Sequence, residues 1–156
     1  MAAKIPVQPA QVKVTPYMSF KDASAAIAFY GKAFGAKESY RLTEPSGRIG
    51  HAEIVIGDAV LMLSDEYPDW GAISAQTLGG TPIVLHLYVA DVDAFVATAI
   101  KFGATSLRPV TDEFYGDRAG QIADPFGYKW MIATRKKQVS PKEMQRLWSE
   151  ALAAGA

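Results

Sequence analysis

The 156-residue chain has no cysteine and only two histidines, His51 and His86. Without cysteine there can be no disulfide, no thiolate metal site and no cysteine nucleophile. It also has no excess of charge: 16 Lys and Arg stand against 16 Asp and Glu. A nucleic-acid partner would call for a basic surface, and this balance offers none. No apolar run approaches the roughly 18–20 residues that a membrane span needs. The opening MAAKIPVQPAQ lacks the apolar centre of a secretion signal. The expectation is a cytoplasmic protein that engages neither nucleic acid nor membrane. A P-loop, a G-x-G-x-x-G after a strand, H-E-x-x-H and G-x-S-x-G are all missing, which removes most well-marked enzyme classes. What is present is ordinary globular composition, 49% hydrophobic and 21% charged. It fits one compact domain or two half-size modules sharing a core.

The order of elements favours two modules. Residues 1–11 read as an extended arm. Val12–Phe20 is β-rich, with Pro16 marking an edge or a bend. Asp22 can cap a helix whose apolar residues Ala26, Ile27, Tyr30, Ala33 and Phe34 fall at helical spacing before Gly35. Lys37–Thr43 reads as a strand, and GHAEIVIGD and AVLMLSD as two more around a Gly57-Asp58 turn. Residues 67–82 form a Pro- and Gly-rich linker. The pattern then restarts: strand Ile83–Ala90, a helix after Asp91 or Asp93 ending at Gly103, a strand around SLRPVTD, a loop DEFYGDRAG, and strands GQIAD and YKWMIAT around D-P-F-G. Phe34-Gly35-Ala36 recurs as Phe102-Gly103-Ala104, about 68 residues later, the mark of a duplicated unit. A helix follows, with Ser140 as N-cap, Pro141 at its first position and Glu143 at its third. The boundaries are thus module 1 at 12–66, linker at 67–82, module 2 at 83–135 and a helical tail at 136–156.

Two βαβββ modules, the ending G-x-x-D-P-F-G-Y-x-W (Gly120–Trp130) and H-L-Y-V-A-D-V-D (His86–Asp93) resemble the glyoxalase/bleomycin-resistance/dioxygenase superfamily, also called vicinal oxygen chelate. The runs Gly50–Glu66 and Ser74–Pro82, and FYGDRAGQIADPFG with SPKEMQR after it, resemble its PhnB-like branch. The resemblance covers about residues 12–147. It implies an α+β fold in which two βαβββ modules form curved mixed sheets around a cavity, with a C-terminal helix added. It also implies a homodimer in which module 1 of one copy often completes a cavity with module 2 of the other. Metal-dependent members take ligands, typically His, Gln or Glu, from the first and last strand of each module. Counted from the motifs, those positions here are Thr15, Met62, Val84 and Met131. None is a good ligand for Zn, Ni, Mn or Fe(II). No metal and no other cofactor is therefore predicted, and a divalent metal would need a displaced site.

Strand side chains alternate between faces, and that sorts the cavity lining. The first strand offers Thr15 and Tyr17. The third offers His51 and Glu53, and the fourth Met62. Module 2 offers Val84, His86 and Tyr88 on its first strand and Met131 on its last, with Arg118 reaching the mouth from its loop. An apolar, aromatic lining with a few polar groups suits a small, partly aromatic organic ligand. Two functions lead, ahead of a structural or interaction module that would use Tyr67, Trp70 and Leu78 of the 67–82 loop. One is a binding protein without catalysis. The other is a lyase- or oxygenase-type enzyme in which His51, Glu53 and His86 supply a general base or rebuild a metal site. The bland alternatives also stay open: His51 and Glu53 as a structural pair, His86 as a satisfied strand histidine, the methionines as core filler, and Arg118 as a loop anchor. A stripe of Met144, Leu147, Trp148 and Leu152 is expected to pack the tail helix on the body or on a partner.

Overall fold

The computed structural model describes residues 13–155; the predicted arm at 1–11 lies outside the described residues, as does Val12 of the first strand. Module 1 runs β1 (Tyr17–Phe20), α1 (Ala23–Phe34), β2 (Lys37–Thr43), β3 (Ile49–Ile56) and β4 (Ala59–Asp65). The linker carries a 3-10 turn (Pro68–Trp70) and a short α2 (Ala75–Leu78). Module 2 runs β5 (Val84–Tyr88), α3 (Val92–Lys101), β6 (Thr105–Asp112), β7 (Asp117–Ala123) and β8 (Lys129–Arg135), and α4 (Pro141–Ala153) follows. Each module is one four-stranded sheet, ordered β1-β4-β3-β2 and β5-β8-β7-β6. In each, the first strand pairs in parallel with the fourth, and the other pairings are antiparallel. The architecture is the α+β pair of βαβββ modules that the sequence predicts, with both sheets open.

Local chemistry sets the helix ends. The Asp22 and Asp91 side chains accept from Ala25 N–H and Ala94 N–H, and Ser140 accepts from Glu143 N–H, each filling a donor the first turn leaves unmade. Gly35 ends α1 at φ 68°, a conformation that costs glycine nothing. Two boundaries differ from the sequence reading. β1 starts only at Tyr17, because Pro16 has no N–H to donate, although its carbonyl still accepts from Met62 N–H at 2.9 Å. β7 starts at Asp117, inside the stretch read as a loop, and Asp117 pairs with Arg135 across the sheet.

One core runs through both modules. Phe20, Ile54 and Leu63 of module 1, Tyr30 and Phe34 of α1, and Ile122, Trp130 and Ile132 of module 2 are buried in a single cluster. Phe34 meets Trp130 edge-on at 4.9 Å and Phe95 of α3 at 5.1 Å, ring centre to ring centre. Polar groups fasten the seam. The Tyr30 hydroxyl donates to Asp124 Oδ2 at 2.5 Å, and the Tyr128 hydroxyl both accepts from Ser19 N–H and donates to Ser19 C=O. Asp124 also accepts from Trp130 Nε1–H and from the Phe126 and Tyr128 backbone. The apolar faces of α1, α3 and both sheets therefore lie inside, and the other face of each sheet is left uncovered.

Candidate functional site

The uncovered face of module 1 gathers four of its predicted residues. Register sets Tyr17 beside Met62 and Glu53 beside Met62 on its other flank, with Tyr40 beside Glu53. Tyr17 Oη lies 2.8 Å from His51 Nδ1, and His51 Nε2 lies 3.1 Å from Tyr40 Oη. The Tyr40 hydroxyl donates to Glu53 Oε1 at 3.1 Å, and His51 Nε2 is 3.7 Å from that oxygen. Loss of hydration, and then the hydrogen bond and charge of Glu53, push the Tyr40 phenol above its ordinary range. Tyr17 and Tyr40 remain 54% and 44% exposed, so the row is open to a ligand.

Module 2 presents a second row. His86 sits beside Met131, Gln121 beside Met131 on the other flank, and Val84 beside Lys129. His86 and Tyr88 rings lie 4.7 Å apart. The Tyr88 hydroxyl donates to Asp117 Oδ2 at 2.9 Å and accepts from Arg135 at 2.5 Å. Arg135 also bonds Asp117 Oδ1 at 2.5 Å and lies 5.0 Å from the centre of the Tyr88 ring. Asp117, only 2% exposed, is thus a buried carboxylate held by both partners. Its hydrogen bond, and next that of Tyr88, push the Arg135 guanidinium up.

Among the described residues, no hydrogen bond, ion pair or ring contact joins the module 1 row to the module 2 row. The predicted lining is therefore split in two within one chain. Thr15 and His86 do meet elsewhere, in a cavity of about 250 Å³ at the seam, where Leu61, Leu85, Leu87 and Trp130 also line the wall. Arg118 matches the anchor alternative: alternation along β7 turns it to the helix side, where it grips Asp93 at 2.7 Å and Asp112 at 3.2 Å. It anchors α3 and does not reach either open face. Sequence reasoning missed Tyr40, Asp117, Gln121 and Arg135. A period-2 reading of β2 from Leu42 would have found Tyr40, and one of GQIAD opposite Ile122 would have found Gln121; Asp117 and Arg135 needed the true limits of β7 and β8.

The residues align with one family. The glyoxalase/bleomycin resistance protein/dioxygenase superfamily model matches residues 15–132. The chain belongs to that superfamily. An uncharacterized protein of Mycobacterium bovis is 38% identical over 148 residues, spanning 93% of this chain and 95% of the relative. Protein YjdN of Escherichia coli is 26% identical over 146 residues, 80% of this chain and 97% of that one. Solved structures share the fold. A glyoxalase-related enzyme from Fulvimarina pelagi gives a TM-score of 0.64 at 22% identity, covering 80% of this chain and 88% of its own. A PhnB protein from Bacillus cereus gives 0.61 at 16%, covering 79% and 99%.

The superfamily's metal positions do not fit a divalent ion here. The register places Tyr17 and His86, rather than Thr15 and Val84, directly beside Met62 and Met131. That changes the neighbours but yields one imidazole, one phenol and two thioethers, a poor donor set for Zn or Fe(II). Among the described residues no three His, Cys, Asp or Glu are grouped to hold a metal. His51 and Glu53 lie on module 1 and His86 on module 2, so one chain does not rebuild the displaced site from these three. No helix among the described residues is long and apolar enough to cross a membrane.

Proposed function

We propose that the protein binds a small, partly aromatic organic ligand in a cavity that two copies complete together. The observation that carries this reading is the back-to-back packing of the modules. The seam fixed by Tyr30, Asp124 and Tyr128 turns both Tyr- and Met-bearing faces outward, so each face is half a site. The module 1 row of one copy facing the module 2 row of another would enclose a lining of the usual kind. Methionines on both floors let such a cavity adapt to ligand shape.

Copy mixing tests it. A thermal-shift screen of aromatic compounds first supplies a ligand. Tyr40→Ala damages only the module 1 half, and Tyr88→Ala only the module 2 half. If the site is shared, each variant alone loses binding, and mixed dimers regain one intact site in two. Binding that is never restored by mixing would place the whole site within one chain.

A second reading, an enzyme with His51 as general base, is favoured by the 3.7 Å approach of His51 to Glu53 and by the phenols held at both ring nitrogens. Conversion of the bound compound by the wild type, lost in His51→Ala, would select this reading over simple binding.

A further inference from the structure

We infer that the group recognised by the module 1 face is an organic cation, a protonated amine or amidinium on a flat apolar body. The inference rests on the reading of that face as half a ligand cavity, and it adds the charge of what is held there.

The direction of the hydrogen bonds carries it. Tyr40 has one hydroxyl hydrogen, and Glu53 Oε1 takes it. The Tyr40 oxygen must then accept at its 3.1 Å contact with His51, so His51 Nε2 carries the hydrogen. In the neutral ring Nδ1 is bare, and it accepts the Tyr17 hydroxyl hydrogen at 2.8 Å. The chain runs one way, from Tyr17 through His51 and Tyr40 to Glu53. Every hydroxyl and ring N–H in the row is spent inside the row.

Within the row itself, what faces outward is therefore acceptor only. The Tyr17 oxygen keeps its lone pairs, and Glu53 Oε2 has no partner among the described residues. The Glu53 side chain keeps 23% of its surface, enough to be reached and little enough to raise the value of a pairing. Lys37 shares this face opposite Val55 but makes no ion pair with Glu53. Tyr40 and His51 adjoin the carboxylate, and the Tyr40 and Tyr17 rings lie 5.7 and 5.5 Å from the imidazole, centre to centre. Aromatic rings beside one carboxylate favour a cation with a flat or methylated body. Within the row an anion would meet Glu53 and the Tyr17 oxygen without a donor, and only the Lys37 ammonium at the start of β2 would be there to pair with it. A neutral acceptor would meet the same surface.

Three probes of one shape separate the cases: benzamidine, benzamide and benzoate, titrated into the full-length protein by calorimetry and followed by amide and imidazole chemical shifts. Benzamidine should bind at least tenfold tighter than the other two and shift the signals of Tyr17, Tyr40 and His51. Glu53→Gln, which keeps the shape and removes the charge, should lose at least tenfold. Tyr17→Phe, which removes the outward acceptor, should lose a few-fold, and it serves as the test should Glu53→Gln fail to fold. Benzamide or benzoate binding as tightly as benzamidine, benzamidine binding that ignores Glu53→Gln, or no benzamidine binding would each overturn the cation. Benzamide binding at these same signals would do so while leaving the cavity in place. Benzamidine bound at Glu53 with copy mixing failing would instead keep the cation and remove the shared cavity.

Discussion

Asp124 shows how one residue joins two halves. Its four donors come from α1, β8 and its own turn. Removing one leaves a buried acceptor short of a partner. Tyr30→Phe should therefore destabilise the fold by about 1–3 kcal/mol, read from urea unfolding, since bonds to charged acceptors sit at the upper end of the usual range. On the open face the same logic gives a smaller effect. Tyr40→Phe removes an exposed donor whose partners water can serve, so the urea midpoint should barely move, while ligand binding falls.

At the scale of elements, the linker is held by a carboxylate. Glu66 accepts from Ser74 N–H at 2.9 Å and from the Thr77 hydroxyl, and Ser74 also caps α2. The Ser74 backbone bond, then the Ser74 and Thr77 hydroxyls, hold the Glu66 carboxyl below the usual carboxylate range. A depressed carboxyl adds stability above its unfolded value and loses it as pH falls through the folded one. The protection factors of the Ser74–Leu78 amides should fall below that range, and Glu66→Gln should remove most of this acid dependence. Gly116, between β6 and β7, has φ 98°, and a Cβ there would stand 2.3 Å from the Lys137 carbonyl oxygen. Gly116→Ala should cost on the order of 1–3 kcal/mol from conformation alone, with the overlap adding to it, as thermal melts would show.

These elements also mark how far the sequence could be read. Helix caps at Asp22 and Ser140, the Gly35 stop and the alternation that buries Ala52 and Ile54 are local signals, and each is found in place. The choice between cavity mouth and anchor for Arg118 stayed open because one polar stretch hid the start of β7, and a strand's start decides which face every later side chain takes. The split of the lining between two faces was implied by the family resemblance, but no local pattern carried it. It depends on Tyr30 finding Asp124 and Tyr128 finding Ser19, contacts that no local pattern announces.

For the whole molecule, the donor count leads to a further expectation. Among the described residues no three His, Cys, Asp or Glu are grouped for a metal, so Zn or Ni at tens of micromolar should leave the melting temperature unchanged. A metal-dependent rise lost in both His51→Ala and His86→Ala would place both histidines on one ion shared by two copies. The seam has a last consequence, for the covalent chain itself. Because Phe34, Trp130 and Asp124 bind the halves through one core, the duplicated modules should melt in a single cooperative transition rather than one after the other. The peptide link between them is then dispensable after folding. A protein nicked at the exposed Gly79-Gly80 should remain one particle under native conditions, and a gene reopened at that point should still yield the native fold.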